Sequence, residues 1–235
     1  MGLSRAARTD AGVHAAINVF AIKLILQPPS LEPGKSLVEH INSFLPDQIR
    51  LWRIIRVQGS FQPRQSCDFR HYEYLLPTHV LLGPNPSSHM GQRVFKAWDA
   101  YLANNQSASA SADGATSELP PALAEARKFF EENSDKLSDY PALLKAKRSW
   151  RCPAALLESL RSFMRVYEGS HNFWNFTIGR TFRDRSCQRQ MREIKVSDAF
   201  LVEGVEYVAV SIRGQSFMLH QIVRAVVPLI VICSD

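Results

Sequence analysis

A run of apolar, partly β-branched residues at 13–26 restricts the folds open to this chain more than any other segment. Such a run predicts a strand that enters a hydrophobic core. Gly12 stands directly before the run, and glycine there permits a positive φ or the close approach of another backbone. The pattern therefore predicts that the carboxylate of Asp10, two residues earlier, lies at the mouth of a sheet.

Arg8 precedes Asp10 by two residues, and a guanidinium close to a carboxylate favours the ionised form of that carboxylate. Two interpretations of Asp10 follow. As part of an ordinary Asp-Ala-Gly segment, it is a loop residue that forms an Asx-turn beside a surface arginine. As a charged group at the end of a buried strand, it is a candidate for chemistry.

The composition is that of an ordinary globular protein, and 235 residues allow one large domain or two smaller ones. The net charge of +6 suits a polyanionic partner such as nucleic acid, although a mildly basic protein without such a partner has the same charge. The four cysteines are isolated, which disfavours a zinc knuckle or a disulfide framework. No apolar run is long enough to span a bilayer, and no Gly-x-x-x-x-Gly-Lys-Ser/Thr phosphate loop occurs.

Hydrophobic periodicity and turn residues divide the chain into predicted helices, strands and an irregular middle. The stretch 104–116 is rich in Ser and Ala and is predicted to be disordered. We expect a first half-domain at 1–77, an insertion at 78–145 and a second half-domain at 146–235. Helices are predicted at 37–45, 92–102, 123–137, 153–167 and 216–222, and strands at 49–57, 69–76, 188–197 and 205–213, the last two paired across Glu203-Gly204.

A second group of chemically useful residues lies in the predicted strand at 69–76. Arg70, Tyr72 and Tyr74 alternate there, so their side chains point to one side of the strand. A tyrosine in that position can stack on a base and offer its hydroxyl to a reacting carbon. A cross-strand tyrosine pair on a sheet surface explains the same spacing equally well.

Four segments carry a family resemblance. Arg-Thr-Asp-Ala-Gly-Val-His-Ala at 8–15 resembles the active-site motif of the TruA-type tRNA pseudouridine synthases. The others, similar to the eukaryotic branch of that family, are Cys-Asp-x-Arg-x-Tyr-Glu-Tyr at 67–74, His-Asn-Phe-x-Asn-Phe-Thr at 171–177 and Gly-Gln-Ser-Phe-Met-Leu-His-Gln-Ile at 214–222. Trp174 stands where a second histidine is usual, and His171 is predicted to be a hydrogen-bonded structural residue.

The resemblance implies an α/β (α+β) pseudouridine synthase fold, with a mixed or antiparallel sheet, flanking helices and two halves around a basic cleft. It also implies isomerisation of uridine in RNA to pseudouridine, with no external cofactor and no metal. The implied partner is tRNA, without a membrane. The implied location is the nucleus, with the mitochondrion or cytoplasm as alternatives.

The resemblance also gives roles to individual residues. Asp10 is the implied nucleophile that starts to break the glycosidic bond. Tyr72 stacks on the uracil and takes part in removing the C5 proton, Arg70 binds substrate beside it, and Arg8 fills the space left by the flipped nucleotide. Extruding that base costs a few kcal/mol, which stacking and phosphate contacts must offset. The arginines at 180–192 are candidates for those phosphate contacts, and a solvated basic face is the alternative for each.

Two departures from the family pattern lead to further expectations. Family members carry several dozen residues before the Asp motif, so the first half-domain is expected to be incomplete, with an exposed sheet edge. In the family a basic residue follows Phe217 by six positions and pairs with the catalytic carboxylate. Here that position is Val223, and Arg224, one step later, is the candidate partner. We therefore expect that 223–235 is not the authentic continuation, for example a read-through of an unspliced intron.

Three functional hypotheses remain at this stage. The first is an active tRNA pseudouridine synthase, and the second is an RNA-binding fragment of the same fold without catalysis. The third is a fragment that does not fold alone.

Overall fold

In the computed structural model, which describes residues 2–9, 11–106, 119–218 and 221–223, the chain divides after Asp68 into a first unit and a second unit. The first unit contains little regular structure. Its helix begins with a capping box, in which the Glu39 N–H donates to the Ser36 hydroxyl over 3.2 Å and the Ser36 N–H donates to the Glu39 carboxylate over 2.8 Å. The elements are two antiparallel strands, β1 (Ser4–Arg5) and β2 (Phe20–Ala21), and the helix α1 (Leu37–Asn42).

The predicted strands at 13–26 and 49–57 are wrong over most of their length, because β2 covers only two residues and 49–57 contains no strand. A strand needs a neighbour for its N–H and C=O groups and a core for its apolar face. In the described part of the first unit no Val, Leu, Ile, Phe, Tyr or Trp side chain is buried. Ile17 and Trp52, for example, are 80% and 78% exposed. The helix predicted at 37–45 is confirmed as α1, which ends earlier, at Asn42.

A five-stranded antiparallel sheet forms the centre of the second unit. Its strands are β3 (Arg70–Pro77), β4 (Gly169–Asn172), β5 (Gln188–Val196), β6 (Phe200–Val202) and β7 (Val205–Gly214). They lie in the order β3-β7-β5-β4, and β6 also pairs with β7. The predicted strands at 69–76, 188–197 and 205–213 are confirmed. The Glu203-Gly204 turn, however, joins β6 to β7, because the chain forms β6 before it returns.

One face of this sheet, which we call the core face, carries the main hydrophobic core. Leu76 on β3 lies opposite Val208 on β7, and both side chains are buried. The helix α5 (Ala154–Arg165) packs against β5 and buries Leu160 and Met164 in the same core. The helix predicted at 153–167 is confirmed, and its apolar side chains share one buried face. The predicted combination of helices with an antiparallel sheet is therefore confirmed.

Three α-helices are described between β3 and α5 in the chain. One contains the whole of the helix predicted at 92–102, and another covers the predicted helix at 123–137 only as far as Glu132. A smaller core joins Phe129 and Phe130 to Leu82, with Trp150 packed against it. Of the stretch predicted to be disordered, residues 104–106 are helical and 107–116 lie outside the described residues. No described helix is both long and apolar enough to cross a membrane. The helices are α2 (His89–Gln106), α3 (Pro121–Glu132) and α4 (Tyr140–Ser149).

Candidate functional site

The candidate site lies at the start of β3, where Arg70 and Tyr72 are on the core face. Arg70 lies opposite Gly214 and Tyr72 opposite Ile212, whose side chain is buried in the core. Directly opposed residues in an antiparallel pair point to the same face of a sheet. Both Arg70 and Tyr72 are half-buried, so they lie where the core meets the end of the sheet.

The segment after β7 fixes both of these side chains. The rings of Tyr72 and Phe217 meet edge to face, with centroids 4.9 Å apart and an interplanar angle of 79°. The Arg70 Nη1 donates to the carbonyl oxygen of Gln215 over 2.8 Å. Phe217 itself packs against the main core. The motif at 67–74 is therefore held in place by the motif at 214–222, a contact between distant segments that no local sequence pattern predicts.

Gly214 permits this contact because it has no side chain. A Cβ atom at that position would lie 2.9 Å from the Phe217 ring, 3.0 Å from the Gln190 carbonyl oxygen and 3.3 Å from the Met191 sulfur. All three distances are shorter than ordinary van der Waals contacts. The glycine that closes β7 is therefore a positioning residue for Phe217 and, through it, for Tyr72.

Replacing Gly214 with alanine is expected to lower the free energy of unfolding by about 1–3 kcal/mol, because the added methyl group overpacks a close contact. Urea unfolding followed by circular dichroism measures this change. Gly59→Ala is the control, since a Cβ there meets no atom within 4 Å, and its expected effect is below about 0.5 kcal/mol. Equal stability of the two variants would contradict the packing role of Gly214.

The segment beyond Phe217 turns into a short helical stretch. The Met218 N–H donates to the side-chain oxygen of Gln221 over 2.8 Å, and Gln221 is buried. The helix predicted at 216–222 is therefore found later than expected: 216–218 are not helical, 221–223 are, and 219–220 lie outside the described residues. Asp10 and Arg224, the implied nucleophile and its candidate partner, also lie outside the described residues.

The motif at 171–177 supports the core rather than supplying a reactive group. The His171 ring nitrogen Nε2 hydrogen-bonds with the Glu168 carbonyl oxygen at 2.7 Å, as a structural role predicts. Phe173 is buried among the core residues. The Asn172 side chain donates to the Phe182 carbonyl oxygen over 2.7 Å and so holds the loop that carries the basic run.

The arginines of the basic run, at 180–192, have different surroundings. Arg180 is exposed and forms an ion pair with Asp184 at 2.7 Å. Hydrogen bonds from Ser186, followed by the Arg180 guanidinium, lower the pKa of the Asp184 carboxyl. Arg183, Arg185 and Arg192 are exposed, whereas Arg189 is half-buried.

The remaining site residues belong to the first unit. Arg8 is exposed there. Gly12 has a φ of +78°, which is the first of the two possibilities that the sequence left open for this glycine. Among the described residues, no group of three or more His, Cys, Asp or Glu side chains could hold a metal ion.

Known proteins resemble almost the whole of this chain. It is 36% identical to tRNA pseudouridine synthase 1 of Yarrowia lipolytica over 93% of its length, and 37% identical to tRNA pseudouridine synthase 1 of Saccharomyces cerevisiae over 96%. No family model matches the chain. The relatives, the four motifs and the mixed helical and antiparallel fold agree: over almost its whole length the chain is similar to tRNA pseudouridine synthases, which is consistent with the TruA-type family.

Its similarity extends to more than one member of that group. The chain is also 35% identical to the tRNA pseudouridine(27/28) synthase of S. cerevisiae, over 94% of its own length and 58% of that protein. It spans less than half the length of the two synthase 1 proteins, 44% of each.

Proposed function

We propose that this chain carries the uracil-binding part of a tRNA pseudouridine synthase and takes part in isomerising uridine to pseudouridine in tRNA. The observation that carries the proposal is the fixed position of Tyr72, between the β7 pairing and the Phe217 ring, with Arg70 two residues away on the same face. A base stacked on an aromatic side chain gains about 1–3 kcal/mol, independent of its sequence context. A ring that is already held loses little further freedom when the uracil arrives.

The reaction breaks the bond from the ribose C1′ to N1 of uracil and forms a bond from C1′ to C5. The C5 proton leaves, and N1 gains a proton, so that the atoms balance without a cofactor. Asp10 is the proposed nucleophile, and Arg224 is its proposed partner. Tyr72 holds the uracil and assists in removing the C5 proton. Arg70 binds the substrate beside Tyr72, and Arg8 occupies the space that the flipped nucleotide leaves.

A second candidate is tRNA binding without catalysis. It is favoured by the first unit, in whose described part no large apolar side chain is buried. A carboxylate on a poorly packed unit is not preorganised for the transition state, whereas phosphate contacts tolerate loose geometry.

Incubation of an unmodified tRNA transcript with this chain, followed by pseudouridine mapping, tests the proposal. A second sample uses the same chain extended at both ends. Pseudouridine in either sample supports the proposal, and its absence from both contradicts it. If the chain binds tRNA but neither sample contains pseudouridine, the second candidate is favoured.

We also propose a nuclear location, with the mitochondrion or cytoplasm as alternatives. The support is the basic composition, with a net charge of +6, and the implied tRNA partner. Imaging of a fluorescently tagged chain in cells tests it.

A further inference from the structure

Arg189 differs from the other arginines of the basic run in both burial and pairing. It is half-buried, whereas Arg180, Arg183, Arg185 and Arg192 are exposed. Arg180 has a carboxylate partner in Asp184. Among the described residues, no carboxylate oxygen lies within 4.0 Å of the Arg189 guanidinium.

The strand register places Arg189 on the core face. Met191 lies opposite Gly214 on one side and Gly169 on the other, and its side chain is buried in the main core. Arg189 is two residues earlier on β5, opposite His171, so its side chain points to the same face as that of Met191. It therefore lies beyond Met191 at the end of the sheet where β3 begins with Arg70. Strand spacing and rise put the Cα atoms of Arg70 and Arg189 about 12 Å apart.

The hydrogen bonding of Arg189 is incomplete. Its Nη1 donates to the Gln188 carbonyl oxygen over 2.6 Å. Its Nε is buried, and no acceptor for it exists among the described residues. A guanidinium has five N–H donors in a fixed fork, which matches the oxygens of a phosphate group. The Nε is enclosed, so a ligand oxygen does not reach it. Among the described residues the Nη2 group is neither buried nor hydrogen-bonded, so it is the donor that is open to a phosphate oxygen.

We infer that Arg189 binds a backbone phosphate of the RNA next to the uridine held by Tyr72. This inference rests on the proposed function, since it assigns one residue of the same site. The other arginines of the run are in solvent or already paired, and they hold the RNA less specifically. Arg189 thus fixes the register of the RNA strand relative to the ring of Tyr72.

The salt dependence of tRNA binding tests this assignment, with an unmodified tRNA transcript as the probe. Arg189→Gln is expected to weaken binding about tenfold and to reduce the slope of log K against log salt by about one, since one phosphate contact is lost. Arg189→Lys keeps the charge, so its slope is expected to match that of the parent chain, although its affinity falls because the fork is lost.

The matched control is Lys195→Gln. Lys195 is on the same strand, carries the same charge and is exposed, but it is paired with Glu193 at 2.5 Å. Its replacement is expected to leave the slope unchanged. Thermal melts of each variant exclude unfolding as the cause of any loss.

Two results would overturn the inference: an unchanged slope in folded Arg189→Gln, or a parent chain that does not bind the transcript. A reduced slope without pseudouridine in any sample supports the phosphate contact and contradicts only the proposed catalysis. The two failures are therefore distinguishable.

Discussion

Replacing Asp10 with asparagine is expected to lower the rate of pseudouridine formation on tRNA by at least about a thousandfold, because an amide cannot act as the nucleophile. The affinity for tRNA is expected to stay within about twofold, since removing one carboxylate leaves the phosphate contacts intact. Single-turnover assays with mass-spectrometric detection of pseudouridine measure the rate, in whichever form of the chain, as given or extended, is active.

Asp47→Asn is the control for this experiment. Asp47 is an exposed carboxylate of the first unit that pairs with Arg50 at 2.7 Å on the surface, and such pairs contribute little to stability. Its replacement is expected to change neither rate nor affinity. An Asp10→Asn protein that keeps more than about a tenth of the parent rate would contradict the assignment of the nucleophile.

Replacing Phe173 with alanine is expected to lower the free energy of unfolding by about 3–5 kcal/mol, because it leaves a cavity in the main core. Phe173 is only 2% exposed, and its ring meets those of Tyr167 and Phe176. A loss of this size is a large part of the 5–15 kcal/mol typical of a folded domain. Urea unfolding of the whole chain measures it.

Trp174→Ala is the matched control, since it removes a larger aromatic side chain at the next position. Trp174 is 40% exposed, so its replacement is expected to cost less than about 1.5 kcal/mol. If both variants lowered the free energy of unfolding equally, the result would contradict the special role of Phe173 in the main core.

The second unit could be predicted well from the sequence because its local patterns agree with its tertiary packing. The alternation in β5 and β7 and the apolar face of α5 each specify one structure. The helix α4 was missed because its start depends on a single capping residue: the Asp139 carboxylate accepts the Ala142 N–H over 3.2 Å.

The strands of the first unit could not be predicted correctly, because a hydrophobic run shows only that a segment would be buried if partners were present. At 13–26 the described chain supplies too few strand partners.

The candidate site, too, could be predicted only in part. The spacing of Arg70 and Tyr72 predicted that their side chains share a face of the strand. The contact between Phe217 and Tyr72 and the position of the Arg189 guanidinium depend on the register of distant strands, which no local pattern encodes.

The hydrogen bond from Arg70 to Gln215 closes a loop of 145 residues. Contacts between such distant positions form late, since the entropy of closing the loop must be overcome first. On a ribosome that adds about 5–20 residues per second, β3 waits roughly 7–30 seconds for β7 to be made. During that interval Tyr72 has no Phe217 to orient it, so the surface around Tyr72 takes its final form only after residue 217 has been made.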